Sequence, residues 1–231
     1  MVPRLWEHDA CRALQVSRFS GTLAREHALI SLIGSSQLTQ QVEQIVNVPQ
    51  FIHIGAINPA CVTRVREQVN AALQAGYPVI PMVIDSPGGS VHSFFALVDI
   101  INGAKKYVGV STIVNGRAMS CAADLLACGT TGLRYVSENS SIMVHHSMVG
   151  LQGKIGDVVS DAGAFSRLNG ECFKLLDKNT KKRAGYWQKA IKDRGGADWF
   201  LNAKEAVKLG LADKVGSPVY AVKVSVDYAF E

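Results

Sequence analysis

No stretch of the sequence approaches the ~18 consecutive apolar residues of a membrane-spanning helix, which excludes an integral helical membrane protein. The first 25 residues have no apolar core of the signal-peptide kind, and Glu7, Asp9 and Glu26 weigh against an organellar presequence. A GxxxxGK[ST] loop is missing as well, so the chain offers no such cradle for ATP, and any ATP use falls to a partner. There is no CxxC or CxxH group. The five cysteines, Cys11, Cys61, Cys121, Cys128 and Cys172, are scattered and odd in number, which suits reduced thiols and speaks against structural zinc. Charge of one sign is scarce too: 24 basic against 19 acidic residues leave only +5. The densest basic patch, Lys174, Lys178 and Lys181-Lys182-Arg183, has no aromatic platform beside it and reads as a solvated helix face, not a nucleic-acid surface. These absences predict a cytoplasmic protein that binds neither membrane nor nucleic acid and needs no metal or other cofactor.

What is present is enough apolar material for a real core, 48% of residues, with no internal repeat or low-complexity linker. Ser36 to Val46 could form a helix ending before Pro49. Phe51–Ile54 reads as a strand, and Val62, Val65, Val69, Ala72 and Leu73 recur at helical spacing. Val79–Ile84 is an apolar strand of the doubly buried kind, although Pro81 cannot donate to a sheet ladder. A turn at Asp85-Ser86-Pro87-Gly88-Gly89 leads to a helix over Val91–Ile101, then a strand over Val110–Val114 closed by Asn115-Gly116. A helix from about Ser120 to Cys128 and a strand over Ser141–Val144 follow. Strand and helix in this alternation predict an α/β fold with a largely parallel sheet. The run 150–156 is too rich in glycine for a stable helix, whereas residues 158–179 predict an amphipathic helix of about six turns. Ala203–Leu209 reads as a short helix, and Val222, Val224, Val226 and Tyr228 alternate like an exposed strand.

Open parallel sheets place ligands at the carboxyl ends of their strands. Three such ends carry chemistry here: the Gly88-Gly89 turn, Ser120 at the start of an apolar helix, and His145. Taken singly, a serine before a helix is an N-cap and a lone histidine at a strand end is a surface or satisfied core residue. Taken together they are a nucleophile, a base and a turn whose N–H groups can approach a ligand closely. The N–H groups of Gly89 and Cys121 could serve as donors to an oxyanion. Alternation along the strand aims His145 and His146 to opposite faces, so only one can meet Ser120, and spacing does not say which. By type alone the orienting acid stays open among Asp157, Asp161, Asp177, Asp193 and Asp198.

The segments Asp85-Ser86-Pro87-Gly88-Gly89-Ser90-Val91, Gly116-Arg117-Ala118-Met119-Ser120 and Ile142-Met143-Val144-His145 resemble the signature segments of the Clp protease proteolytic subunit. Asp198-Trp199-Phe200-Leu201-Asn202-Ala203-Lys204-Glu205-Ala206 is similar to that family's C-terminal segment, and the likeness keeps its order over residues 51–216. The resemblance implies the ClpP/crotonase-like α/β fold, with a peptidase domain over 51–216 between a divergent segment 1–50 and a tail 217–231. It implies a serine endopeptidase in which Ser120 is the nucleophile, His145 the general base and Asp198 the acid, with Gly89 and Cys121 as oxyanion-hole donors. It also implies a protruding handle at about 149–183 whose residues Gly150, Leu151, Gln152 and Gly153 bind peptide or unfolded substrate strands. The partners implied are copies of the same chain in stacked heptameric rings and an AAA+ unfoldase.

The sequence departs from the family at Arg117, Met119 and Cys121 around the serine, and at His146-Ser147 after the base. Asp124 replaces an apolar residue and reads as a ring contact or a solvated position. Residues 1–50 do not resemble the family's axial loops, and such divergence suits a phage-encoded or accessory bacterial member. Three other readings share the fold: a Ser–Lys peptidase of the signal peptide peptidase A type, a crotonase-type acyl-CoA enzyme, and an inactive structural ring subunit.

Overall fold

Asn58 and Pro59 open the first helix by two complementary means. The Asn58 side chain accepts from the Cys61 N–H at 2.9 Å, and Pro59 occupies a first-turn position whose N–H would have no helical partner. This helix, α1 (Pro59–Gln74), follows strand β1 (Ile52–Ile54) and buries Val62, Val65 and Val69. The computed structural model describes residues 49–219, which lie within one compact unit. The readings at Ser36–Val46, at Cys11 and at Val222–Tyr228 fall outside the described residues.

The centre of the fold is β2 (Val79–Ser86), α2 (Val91–Ala104) and β3 (Gly109–Met119). β1, β2 and β3 pair in parallel, and Ile80, Met82, Ile84, Val110 and Val114 are buried between the helices. Pro81 is tolerated because β1 begins only opposite Met82, so the missing donor costs no bond to β1. The strand predicted to stop at Val114 runs on to Met119, with Asn115 and Gly116 inside it. Its first half pairs with β4 (Arg134–Val136) and its second half with β5 (Ser141–Val144). Gly116 is required there: at φ 110° its missing side chain would stand 2.9 Å from an Asp85 carboxylate oxygen.

Between β3 and β4 in the chain lies α3 (Cys121–Ala127), with no exposed apolar side chain. The long helix α4 (Ile155–Asn179) starts three residues before its expected beginning and takes Gly156 into its first turn. Its early turns are exposed, Ile155 and Val159 included, whereas Cys172, Phe173 and Leu176 are buried and the helix packs on α3. The basic residues Lys174, Lys178, Lys181 and Arg183 around its end are exposed.

Three elements had no sequence signal: α5 (Tyr186–Lys192), β6 (Trp199–Leu201) and β7 (Lys214–Val215), around the expected α6 (Ala203–Leu209). β6 is antiparallel to β5, and all other pairings are parallel. Trp187 is fully buried and donates its indole N–H to Thr180 at 2.8 Å, while the Asp177 carboxylate accepts from the N–H groups of Gly185 and Trp187. Arg134, itself buried, holds β7 by two-pronged contact with Asp213.

Candidate active site

Ser120 follows the last residue of β3 and caps α3, but its side chain makes no capping bond. Its backbone sits at φ 57° and ψ −131°, a conformation that costs a non-glycine residue about 1–3 kcal/mol. The N–H of Ser120 donates to the Met143 carbonyl at 2.8 Å, tying this bend to β5. The strained turn frees the hydroxyl from helix capping and aims it elsewhere: Ser120 Oγ lies 2.8 Å from His145 Nε2.

His145 is the first residue beyond β5. Strand alternation groups it with Met143 and groups His146 with the buried Ile142 and Val144, so the two rings part as the period of two demands. The ring of His146 packs edge-on against Phe173 of α4, with centroids 5.1 Å apart. The other nitrogen of His145, Nδ1, stands 3.2 Å from Asp198 Oδ1. When the serine hydroxyl donates to Nε2, the imidazole proton is on Nδ1 and faces that carboxylate. Asp198 precedes β6, and the β5–β6 pairing of Val144 with Trp199 brings it beside the histidine. Trp199 is itself fixed between the Arg194 guanidinium, 3.6 Å from its ring centroid, and Trp187. The other carboxylates have other work or stand apart: Asp177 holds the turn into α5, and Asp193 pairs with Lys189 at 2.7 Å.

Gly88 and Gly89 arch over the start of α3. The arch is bolted to the end of the β1 segment, since Ile57 donates to the Gly88 carbonyl and accepts from Ser90 N–H. At φ 152°, a side chain on Gly89 would meet the Ile57 carbonyl oxygen at 2.1 Å. Among the described residues no backbone carbonyl accepts from the N–H of Gly89 or of Cys121. The Cys121 thiol is turned away toward the Gly89 carbonyl, and burial pushes it up to about 12, which keeps it from being a thiolate at neutral pH. The four described cysteines are free thiols, and no group of three or more metal-ligating side chains occurs among the described residues.

Asp124, one turn beyond Ser120, is half-buried. Burial pushes that carboxyl up to about 7. Gly150, Leu151, Gln152 and Gly153 lie in the extended link from His145 to α4, and no hydrogen bond joins them to another described residue. Sequence reasoning missed Asn169 of α4, whose side chain reaches the backbone N–H of Ser147 and the ring of His146. An asparagine on a helix has no local pattern that could have revealed this contact.

Residues 35–219, most of the chain, match the Clp protease family. The protein belongs to that family, and the activity the family implies is that of a serine peptidase. Its members generally form oligomeric rings. No helix among the described residues is long and apolar enough to cross a membrane.

Proposed function

We propose that the protein is a serine endopeptidase that cleaves peptides and unfolded proteins through Ser120, His145 and Asp198. The observation that carries this reading is one imidazole bridging a hydroxyl at 2.8 Å and a carboxylate at 3.2 Å. Ser120 Oγ attacks the peptide carbonyl while its proton passes to His145 Nε2, and the tetrahedral oxyanion takes hydrogen bonds from the N–H groups of Gly89 and Cys121. His145 then gives that proton to the leaving amine, and the amide C–N bond breaks to leave an acyl ester on Ser120. Water, deprotonated by the same imidazole, hydrolyses the ester. Asp198 holds the ring in the required tautomer and stabilises the imidazolium.

An extended substrate is read here as adding a strand along Gly150–Gly153, whose backbone groups have no hydrogen-bond partner among the described residues. The chain works inside an oligomeric chamber, with stacked heptameric rings as the assembly and an AAA+ unfoldase as the partner that delivers folded substrates. The family match supports the ring, and residues 1–50 offer no likeness to the family's docking loops. The reaction needs neither a metal nor another cofactor. Among the described residues no lysine amine bonds to Ser120, which favours this reading over a Ser–Lys dyad.

Intact-mass detection of a fluorophosphonate adduct tests the assignment. One adduct per chain is expected on the wild type and none on Ser120→Ala or His145→Ala. An assembled wild-type protein that takes up no reagent at neutral pH, or an adduct that survives Ser120→Ala, overturns it.

A further inference from the structure

The sheet stops holding the chain just where the proposed base begins. The pairing of β5 with β3 ends at Met143 and that with β6 ends at Val144, so His145 and the residues after it lie beyond both ladders. A general base must nevertheless stay within hydrogen-bond reach of its proton donor, and a displacement of about 1 Å can cost on the order of a hundredfold in rate. Something other than the sheet must fix this segment.

We propose that Asn169 of α4 is a positioning residue for the general base, its side-chain amide clamping the segment that carries His145. This inference rests on the reading of His145 given above. Both ends of the amide are used. Oδ1 accepts from the backbone N–H of Ser147 at 2.9 Å, and Nδ2 donates to His146 Nδ1 at 3.1 Å. The donor–acceptor pattern is self-consistent: a neutral His146 protonated on Nε2 leaves Nδ1 free to accept, and the amide then cannot flip without losing both bonds. The His146 ring is backed by Phe173, four residues further along α4 and therefore on the same helix face as Asn169. One face of α4 thus seizes the residues on the far side of His145, while Ser120 and Asp198 hold the ring of His145 itself.

The sequence supplies each part of this clamp. A donor N–H is present at position 147 because the residue is Ser147 and not a proline, and a ring acceptor is present because the residue before it is His146. Asn169 does not contact the hydroxyl, the imidazole or the carboxylate that perform the chemistry. Its effect is therefore expected on the bond-making step and not on substrate affinity.

The test uses the full chain and three readouts: the rate of fluorophosphonate adduct formation, kcat and KM for a short fluorogenic peptide, and the melting temperature. Asn169→Leu keeps the size of the side chain but loses both hydrogen bonds, and is expected to lower kcat and the labelling rate about tenfold with KM unchanged. Asn169→Asp can accept from Ser147 N–H and from a His146 ring protonated on Nδ1, and is expected to recover most of that loss. Asn169→Leu with wild-type kcat overturns the proposal, and so do leucine and aspartate variants that are equally impaired and equally destabilised. A wild type without any Ser120-dependent adduct overturns the underlying catalytic reading instead, and is recognised by the Ser120→Ala control.

Discussion

Gly88 and Ser120 touch through the space where a side chain would be: a Cβ on Gly88 would stand 2.8 Å from the Ser120 Cβ and 2.7 Å from the Met119 carbonyl oxygen. The arch that carries Gly89, one of the two proposed oxyanion donors, is therefore seated directly on the backbone that aims the hydroxyl.

Gly88→Ala is expected to damage chemistry more than folding. The glycine sits at φ 90°, which an alanine adopts only with strain, and the added methyl must push the arch away from Ser120. The labelling rate should fall about a hundredfold, with stability lower by about 2 kcal/mol. Adduct kinetics alongside urea unfolding measure both. A variant that labels at the wild-type rate would show that the arch can move freely relative to the hydroxyl.

Variants of Asp198 and Asp193 distinguish the acid implied by the family likeness from one of the carboxylates left open by residue type. Asp198→Asn should leave the melting temperature within a few degrees of wild type, because the side chain is about half exposed, yet lower peptide hydrolysis by about 10³- to 10⁴-fold. Asp193→Asn removes only an exposed pair with Lys189 and should change hydrolysis less than twofold. Equal losses in both variants would mean that the acid is not assigned by the 3.2 Å contact.

Stability should respond to pH through two aspartates acting in opposite directions. Burial raises Asp124 to about 7, well above its unfolded value near 4, so the folded state binds this proton more tightly. The contribution of Asp124 is thus present below pH ~4 and is lost as pH rises from ~4 to ~7. For Asp213, burial alone would raise the carboxyl, but the hydrogen bonds and charge of Arg134 outweigh it and hold it below the usual range. Its stabilisation is present above the unfolded value near 4 and is lost as pH falls through the lower folded value. Urea unfolding across pH 3 to 8 should show Asp124→Leu more stable than wild type by about 2 kcal/mol at pH 8, with the gap closing toward pH 4. Asp213→Ala should be destabilised at pH 8 by about 3–5 kcal/mol, because it leaves the buried Arg134 unpaired.

The parallel core was legible because β2, α2 and the first half of β3 are apolar runs punctuated by glycine and proline, and burial on both faces leaves a strong pattern. The end of β3 was not. Asn115 and Gly116 have the composition of a turn, yet the ladder with β5 and the close fit of Gly116 against Asp85 keep them extended. β6 has only three residues, too few for any period to emerge, and it exists because β5 offers it an edge. Ser120 and His145 could be picked out as strand-end residues, and alternation correctly separated His145 from His146 without choosing between them. The choice is made by packing: Phe173 and Asn169, more than twenty residues away, take His146. Asp124 reads from the sequence as a ring contact or a solvated position, and its partial burial depends on tertiary neighbours, which no helical spacing reveals.

The place of Asp198 also orders events during synthesis. It leaves the ribosome more than fifty residues after His145 and nearly eighty after Ser120, and it reaches the imidazole only when β6 joins β5. On the proposed reading, a half-made chain that already holds Ser120 and His145 still lacks its acid, which comes only with that antiparallel pairing. The proposed triad is then a property of the nearly finished fold and of no shorter piece of the chain.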